Sequence, residues 1–475
     1  MKTRLKWSFF CAFLYVSTVA AQTSLETRLD RLLNDDFFQS ATIGVAVYDL
    51  TDQKMLYTHN EKRLCRPASN VKLITTAAAL WSLTPRYNFR TGLYHTGTID
   101  EDGHLTGDIF LTGGFDPELM TSHIEELAAS IKKAGIESIS GNLYIDVSKG
   151  DTLHWGKAWS WDDDMEAFQP YMSPLPLNKG VARVRVLPAP IGQAPTIQVT
   201  PESSFITVVN NATTVQRSAD PPLRSLLFNR WFAEGSNNIE ISGVIATSAG
   251  AHERRISLKN PHGYVLKVLS EKILEQLPES DIQIAGTMQL PADAQNIGYA
   301  TNGIMTAIRR ANKESDNLSS EMLLYAMGYQ RGARPATTLS GVAVVQRMFE
   351  QMGFAANTFR IVDVSGLSNQ NYLTPEQIVA TLNFMYQSPN FNQFRQSLAV
   401  AGVDGTLASR MRNTAAFRNV NAKTGSLTSV SALSGYVTAR NGNLLAFSIM
   451  AQNFVERASV VAVNHLDKIA VALAE

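Results

Sequence analysis

Apolar residues run almost unbroken through Thr42-Ile43-Gly44-Val45-Ala46-Val47-Tyr48-Asp49-Leu50, and a polar turn separates them from Lys54-Met55-Leu56-Tyr57-Thr58-His59. Short runs bounded by turn residues predict two strands. Towards the other end, the stretches 431–440 and 444–450 flank Asn441-Gly442-Asn443. An Asn-Gly turn between two strands is the strongest short-range hairpin signal. All of these strands are expected to share one antiparallel sheet with the alternating stretch that ends at Lys423. Helical patterns fall elsewhere: an amphipathic stretch over 25–33, a small and apolar run over 73–80 after Pro67-Ala68, and patterns over 122–134 and 264–277. The run over 73–80 predicts a helix whose body is buried and whose first turn faces a cleft. Two more helical patterns, 305–313 and 318–324, bracket a polar loop. Short strands dominate the middle, at 107–112, 141–146, 181–186, 196–199 and 239–244, which suggests an α+β unit followed by a mostly β one.

Candidate chemistry sits at the joints of this pattern. Ser69-Asn70-Val71-Lys72 opens the buried helix, Ser315-Asp316-Asn317 lies in the polar loop, and Lys423-Thr424-Gly425 belongs to the sheet. An S-x-x-K word alone is cheap, since roughly two are expected by chance in a chain of this length. A second one does occur, Ser130-Ile131-Lys132-Lys133, in a stretch that is acidic at its start, basic at its end and closed by Gly135. That copy reads as an ordinary surface helix. S-D-N and K-T-G each occur once.

Ser69 and Lys72, three apart on a helix, share one face, so the lysine can reach the serine hydroxyl. A serine hydroxyl is a poor nucleophile until a base takes its proton. A lysine must fall from its reference pKa near 10.4 to about 7 to serve as that base, at a cost of about 4 kcal/mol. Burial and a second cation both push it that way, and Lys423 is the candidate cation. Ser315 is expected between the two lysines as a proton relay to the leaving amine, while Asn317 offers an acceptor and donors to the substrate backbone. The amides of Ser69 and Ser426 are the expected oxyanion donors. Gly425 would let substrate approach the strand, and Thr424 and Ser426 with Lys423 suit a terminal carboxylate.

With these residues in place, the chain resembles the class C low-molecular-mass penicillin-binding proteins, the DacB-like D-alanyl-D-alanine carboxypeptidase/endopeptidase group of peptidase family S13. Similar blocks stand at 67–73, 113–117, 312–318, 363–368, 402–407 and 422–427, nearly the whole chain beyond its leader. The resemblance implies an α+β fold: a β-lactamase/transpeptidase-like catalytic domain, with an antiparallel sheet flanked by helices, interrupted after the S-x-x-K helix by a large strand-rich insertion. The long gap from Lys72 to Ser315 fits an insertion. Also implied is a serine D-Ala-D-Ala carboxypeptidase/endopeptidase acting on peptidoglycan stem peptides through an acyl-enzyme on Ser69, inhibited by β-lactam antibiotics, with no cofactor and no metal. Phe115 departs from the pattern, standing where the family block has Gly. Two alternatives are a β-lactamase, which the insertion argues against, and a non-catalytic peptidoglycan-binding protein, which the full set of catalytic side chains argues against.

Lys2, Arg4 and Lys6, an apolar run over 7–20 and the small residues Val19-Ala20-Ala21 read as a signal peptide over 1–21, so an exported, periplasmic enzyme is expected. The expected organisation is then a first catalytic segment over 22–95, inserted subdomains over 96–298 and a second catalytic segment over 299–475. No later segment approaches about 18 unbroken apolar residues, so no stable membrane insertion is expected. Basic and acidic residues number 42 each, and losing the three leader cations leaves −3. With no basic run, that balance argues against nucleic acid as a partner. Cys11 lies in the leader, which leaves Cys65 without a disulfide partner and reading as a buried structural thiol. Trp155, Trp159, Trp161 and Asp162-Asp163-Asp164 read as a loop packed on the insertion rather than a glycan, peptide or metal site. The scattered histidines and the absence of G-x-S-x-G argue against a Ser-His-Asp triad.

Overall fold

The computed structural model describes residues 24–216, 226–230, 235–455 and 459–475. The leader expected over 1–21, with Cys11, lies outside the described residues.

Six strands form one sheet in the order Ala399–Val400, Asn421–Leu427, Val430–Thr438, Leu444–Gln452, Thr42–Asp49, Lys54–His59, with every pairing antiparallel. The expected hairpin is closed at Asn441-Gly442, where Ala439 N–H donates to Asn443 O at 2.9 Å and Gly442 takes a φ of 89°. Side chains alternate across this sheet, as the twofold period of a strand requires. Ala432, Tyr436, Ala446 and Met450 face a core shared with the helices Val71–Leu83, Asn317–Gln330, Thr338–Gln351 and Pro375–Tyr386. Leu433, Val437, Leu445, Phe447 and Ile449 face a second core under Leu25–Leu33 and Ser459–Ala474. The helix Val71–Leu83 is buried from Val71 through Leu80, which explains why its sequence is mostly apolar, with Lys72, Thr75 and Thr76 buried among the rest.

A separate sheet runs in the order Gln295–Gly303, Asn88–His95, Ile109–Thr112, Ser138–Asp146, His104–Thr106, Thr98–Ile99, with Asp281–Thr287 also pairing to Ser138–Asp146. Thr121–Lys133 and Pro261–Gln276 pack on it through Ile124, Leu127, Ile131, Val265, Leu269 and Ile273. Two three-stranded sheets follow, Thr207–Val215 with Asn238–Ala246 and Leu227–Asn229, and His252–Ser257 with Val181–Leu187 and Thr196–Thr200. Pairing in this sheet crosses the limits read from the sequence at 96 and 298. Asn88–His95 lies before 96 and Gln295–Gly303 runs past 298, yet they pair with each other, Asn88 opposite Gly303 and His95 opposite Gln295. Both strands therefore belong to the inserted sheet, a non-local choice that periodicity cannot show.

Phe115 has a φ of 61°, the left-handed region that suits a glycine. Its ring is buried 5.7 Å from Tyr325 and 5.9 Å from Tyr329, so packing offsets the backbone strain.

Tyr436, fully buried in the central strand, donates its hydroxyl to Leu382 O at 2.8 Å. Tyr436→Phe should remove that bond and lower stability by about 1 kcal/mol, read as a drop in thermal midpoint.

Candidate active site

Ser69 sits in the short turn Ala68–Asn70 that leads into Val71–Leu83, and two glycines let neighbouring segments close on that turn. A Cβ on Gly366 would stand 2.1 Å from Ala68 O, and one on Gly425 would stand 2.7 Å from Pro67 O. Ala68 itself takes a φ of 46°. The backbone carrying Ser69 is thus held between the 363–366 turn and the strand Asn421–Leu427. Gly425, expected to admit substrate, is seen to admit the turn that carries Ser69.

Lys72 is fully buried one helical turn on. Its Nζ donates to Ser69 Oγ at 2.9 Å, to Asn317 Oδ1 at 2.6 Å and to the carbonyl of Ser365. Ser69 Oγ also reaches Ser365 O at 3.4 Å. Burial brings Lys72 down to about 8, against the pull of Asp363, Glu321 and Asp316, which favour its charge. Lys423 is fully buried too, and its Nζ donates to Ser315 Oγ at 2.9 Å and to Thr424 O at 2.7 Å. Burial, then repulsion from Lys72, holds Lys423 well below the usual lysine range. Of the two causes expected to lower Lys72, burial and Lys423, burial is the one that acts on it, and the repulsion between the lysines falls on Lys423.

Ser315 ends a π-helical turn, Arg310–Glu314, and takes a φ of 61°. Such turns recur at functional sites because they re-aim the next residue. Asp316 caps the following helix by accepting from Ser319 N at 2.7 Å, so Asn317 is the helix's first residue rather than a loop residue. Among the described residues, Ser315 bonds to Lys423, whereas Lys72 bonds to Asn317. Thr424 Oγ1 lies 2.8 Å from Thr406 Oγ1, and Ser426 is exposed opposite Ser431.

Several contributors carry no signal in the three sequence words. Asp363 is buried and accepts from Gly366 N (2.9 Å), Ser368 N (2.7 Å), Asn371 Nδ2 (2.6 Å) and Trp159 Nε1 (2.8 Å). Trp159 therefore packs into the catalytic core, not on the insertion as expected from its sequence. Asp164 pairs instead with Arg230 (3.3 Å) and Lys259 (3.5 Å). Phe168 O accepts from Asn317 Nδ2 at 2.6 Å, on one wall of a cavity of about 420 Å³ that Lys179, Ser315 and Asp316 also line. Glu321 lies four residues after Asn317, a helical spacing that could have flagged it. The second S-x-x-K is structural: Ser130 Oγ donates to Leu127 O at 2.6 Å within its own helix. The Cys65 thiol is buried and pushed up to about 11, and Cys65 bridges Leu373 through its backbone. A thiol that stays protonated is inert.

A family model described as D-Ala-D-Ala carboxypeptidase 3 (S13) matches residues 25–474. The chain belongs to that family. It is 30% identical to a D-alanyl-D-alanine carboxypeptidase of Actinomadura sp. (strain R39), over 96% of this chain and 85% of that one. It is 24% identical to the D-alanyl-D-alanine carboxypeptidase DacB of Haemophilus influenzae, over 86% and 85%. The crystal structure of penicillin-binding protein 4 from H. influenzae shares the fold, with a TM-score of 0.79 at 22% identity over 94% of this chain and 98% of that one. The structure of that protein complexed with a β-lactam gives a TM-score of 0.76 at 21% identity over 95% and 98%.

Gly425→Ala should push strand and turn apart. We expect a loss of about 1–3 kcal/mol on chemical denaturation.

Proposed function

We propose that this chain is a serine D-Ala-D-Ala carboxypeptidase and endopeptidase that cleaves peptidoglycan stem peptides through an acyl-enzyme on Ser69 and is acylated there by β-lactams. One observation carries the reading: a buried lysine amine, Lys72 Nζ, sits 2.9 Å from the hydroxyl of Ser69. The names of the Actinomadura and Haemophilus relatives support the substrate class, and the Haemophilus β-lactam complex supports the inhibitor class.

In this mechanism neutral Lys72 takes the Ser69 proton as Oγ attacks the D-alanyl carbonyl carbon. Backbone N–H groups of Ser69 and Ser426 hold the oxyanion, and Asn317 orients the peptide. A terminal carboxylate arriving at Thr424 and Ser426 supplies the counter-charge that lets buried Lys423 hold a proton. Lys423 and Ser315 then pass that proton to the leaving amine as the C–N bond breaks, and water later releases the acyl group. We assign the enzyme to the periplasm on the leader over 1–21; among the described residues no helix is long and apolar enough to cross a membrane. The catalytic domain is assigned to the two chain ends, closed around the insertion.

Mass spectrometry after incubation with cross-linked peptidoglycan fragments tests the activity. Loss of a terminal alanine, or conversion of dimers to monomers, should occur and should vanish in Ser69→Ala; equal turnover by Ser69→Ala would refute it. Because Lys72 near 8 is charged below that pH and cannot accept a proton, acylation by benzylpenicillin should fall about tenfold per pH unit below 8 and level off above it. Stopped-flow acylation rates across pH 6–10 read this directly.

A further inference from the structure

Glu321 has no role in the proton path above, yet it is buried behind it, with 1% exposure. Among the described residues no lysine or arginine forms an ion pair with it, and Asp363, a second carboxylate, lies close enough to disfavour its charge. A buried carboxylate set beside another costs stability, and an apolar side chain or an amide would remove that cost. What Glu321 touches gives the reason for keeping it. Its Oε1 accepts from Ser365 N at 2.9 Å and from Val364 N at 3.2 Å. The carbonyl of the same Ser365 accepts from Lys72 Nζ and, at 3.4 Å, from Ser69 Oγ. The next residue, Gly366, presses on Ala68 O and Ser69 N.

We propose that Glu321 is a positioning residue for acylation: it fixes the 363–366 turn, so that Ser365 O holds Lys72 and Ser69 in register, and its negative charge stabilises the ammonium that Lys72 becomes on taking the Ser69 proton. The step is a proton transfer only, in which Oγ–H breaks, Nζ–H forms and no other reactant is needed. Lys72 is faced by Asp363 from the turn, Asp316 from the Ser315 loop, Glu321 from the helix Asn317–Gln330 and Lys423 from the strand. Glu321 is faced by Asp363 and by Tyr325, one turn on. Desolvation, then Asp363, raises Glu321 to about 7, and Glu321 in turn favours the charged form of Lys72.

The proposal rests on the reading of Ser69 and Lys72 as the acylating pair, and the test separates the two. Glu321→Gln keeps an oxygen able to accept both amides but removes the charge. Its acylation by benzylpenicillin should show a pH midpoint lower than wild type by about one pH unit or more, as expected on losing an opposite charge near Lys72. Glu321→Asp keeps the charge but withdraws the acceptor, so its midpoint should stay at the wild-type value while its plateau rate falls. A Glu321→Gln profile superimposable on wild type overturns the proposal, and so does a lowered midpoint in Glu321→Asp. If Glu321→Gln does not fold, the Glu321→Asp midpoint decides. A wild-type enzyme that never acylates would sink the function reading instead.

Discussion

The structure turns on one placement: an amine that water would keep charged is sealed inside the protein beside a serine hydroxyl. Lys72 has no exposed surface, and its three acceptors are Ser69, Asn317 and the Ser365 carbonyl. Desolvation of a charged amine is costly, and here it is partly offset by carboxylates on separate elements: Asp363, Glu321 and Asp316. Lys423 receives no comparable set of anions, and burial, then its neighbour Lys72, favours its neutral form. The carboxylates thus support a charge on Lys72 that nothing comparable supports on Lys423.

That balance draws in the insertion. Trp159 reaches across to Asp363, and Phe168 O holds the amide of Asn317 whose oxygen holds Lys72. Lys179 and Asn178, with φ values of 62° and 51°, bring a cation to the edge of the Ser315 loop. Lys179 pairs with Glu118 and lies 3.7 Å from Asp316, while Arg310 joins the same Glu118 at 2.9 Å. Asn178 is tied down by bonds of 2.8 Å to Thr121 Oγ1 and to Tyr264 OH. The inserted residues therefore act as a brace on the segments that carry Asp363, Ser315 and Asn317.

Much of this was legible in the sequence because it is local. The three-residue spacing of Ser69 and Lys72, the apolar run over 73–80 and the Asn441-Gly442 turn each encode a short-range geometry. The contacts that set the charge balance are not local. Glu321 sits in an otherwise buried helix where its neighbours read as core, and Asp363 and Trp159 meet across about two hundred residues of chain. Ala68, Phe115 and Ser315 adopt left-handed backbone without being glycine, which no propensity would suggest. Asn88–His95 reads as a strand from its own residues, but its partner is chosen by tertiary pairing.

The most direct test of the buried-amine account is NMR titration of the lysine side chains in the folded protein, with the Lys72 signal identified by its absence in Lys72→Arg. The account predicts a midpoint near 8 for Lys72. A midpoint near the ordinary lysine value of about 10.4 would contradict it.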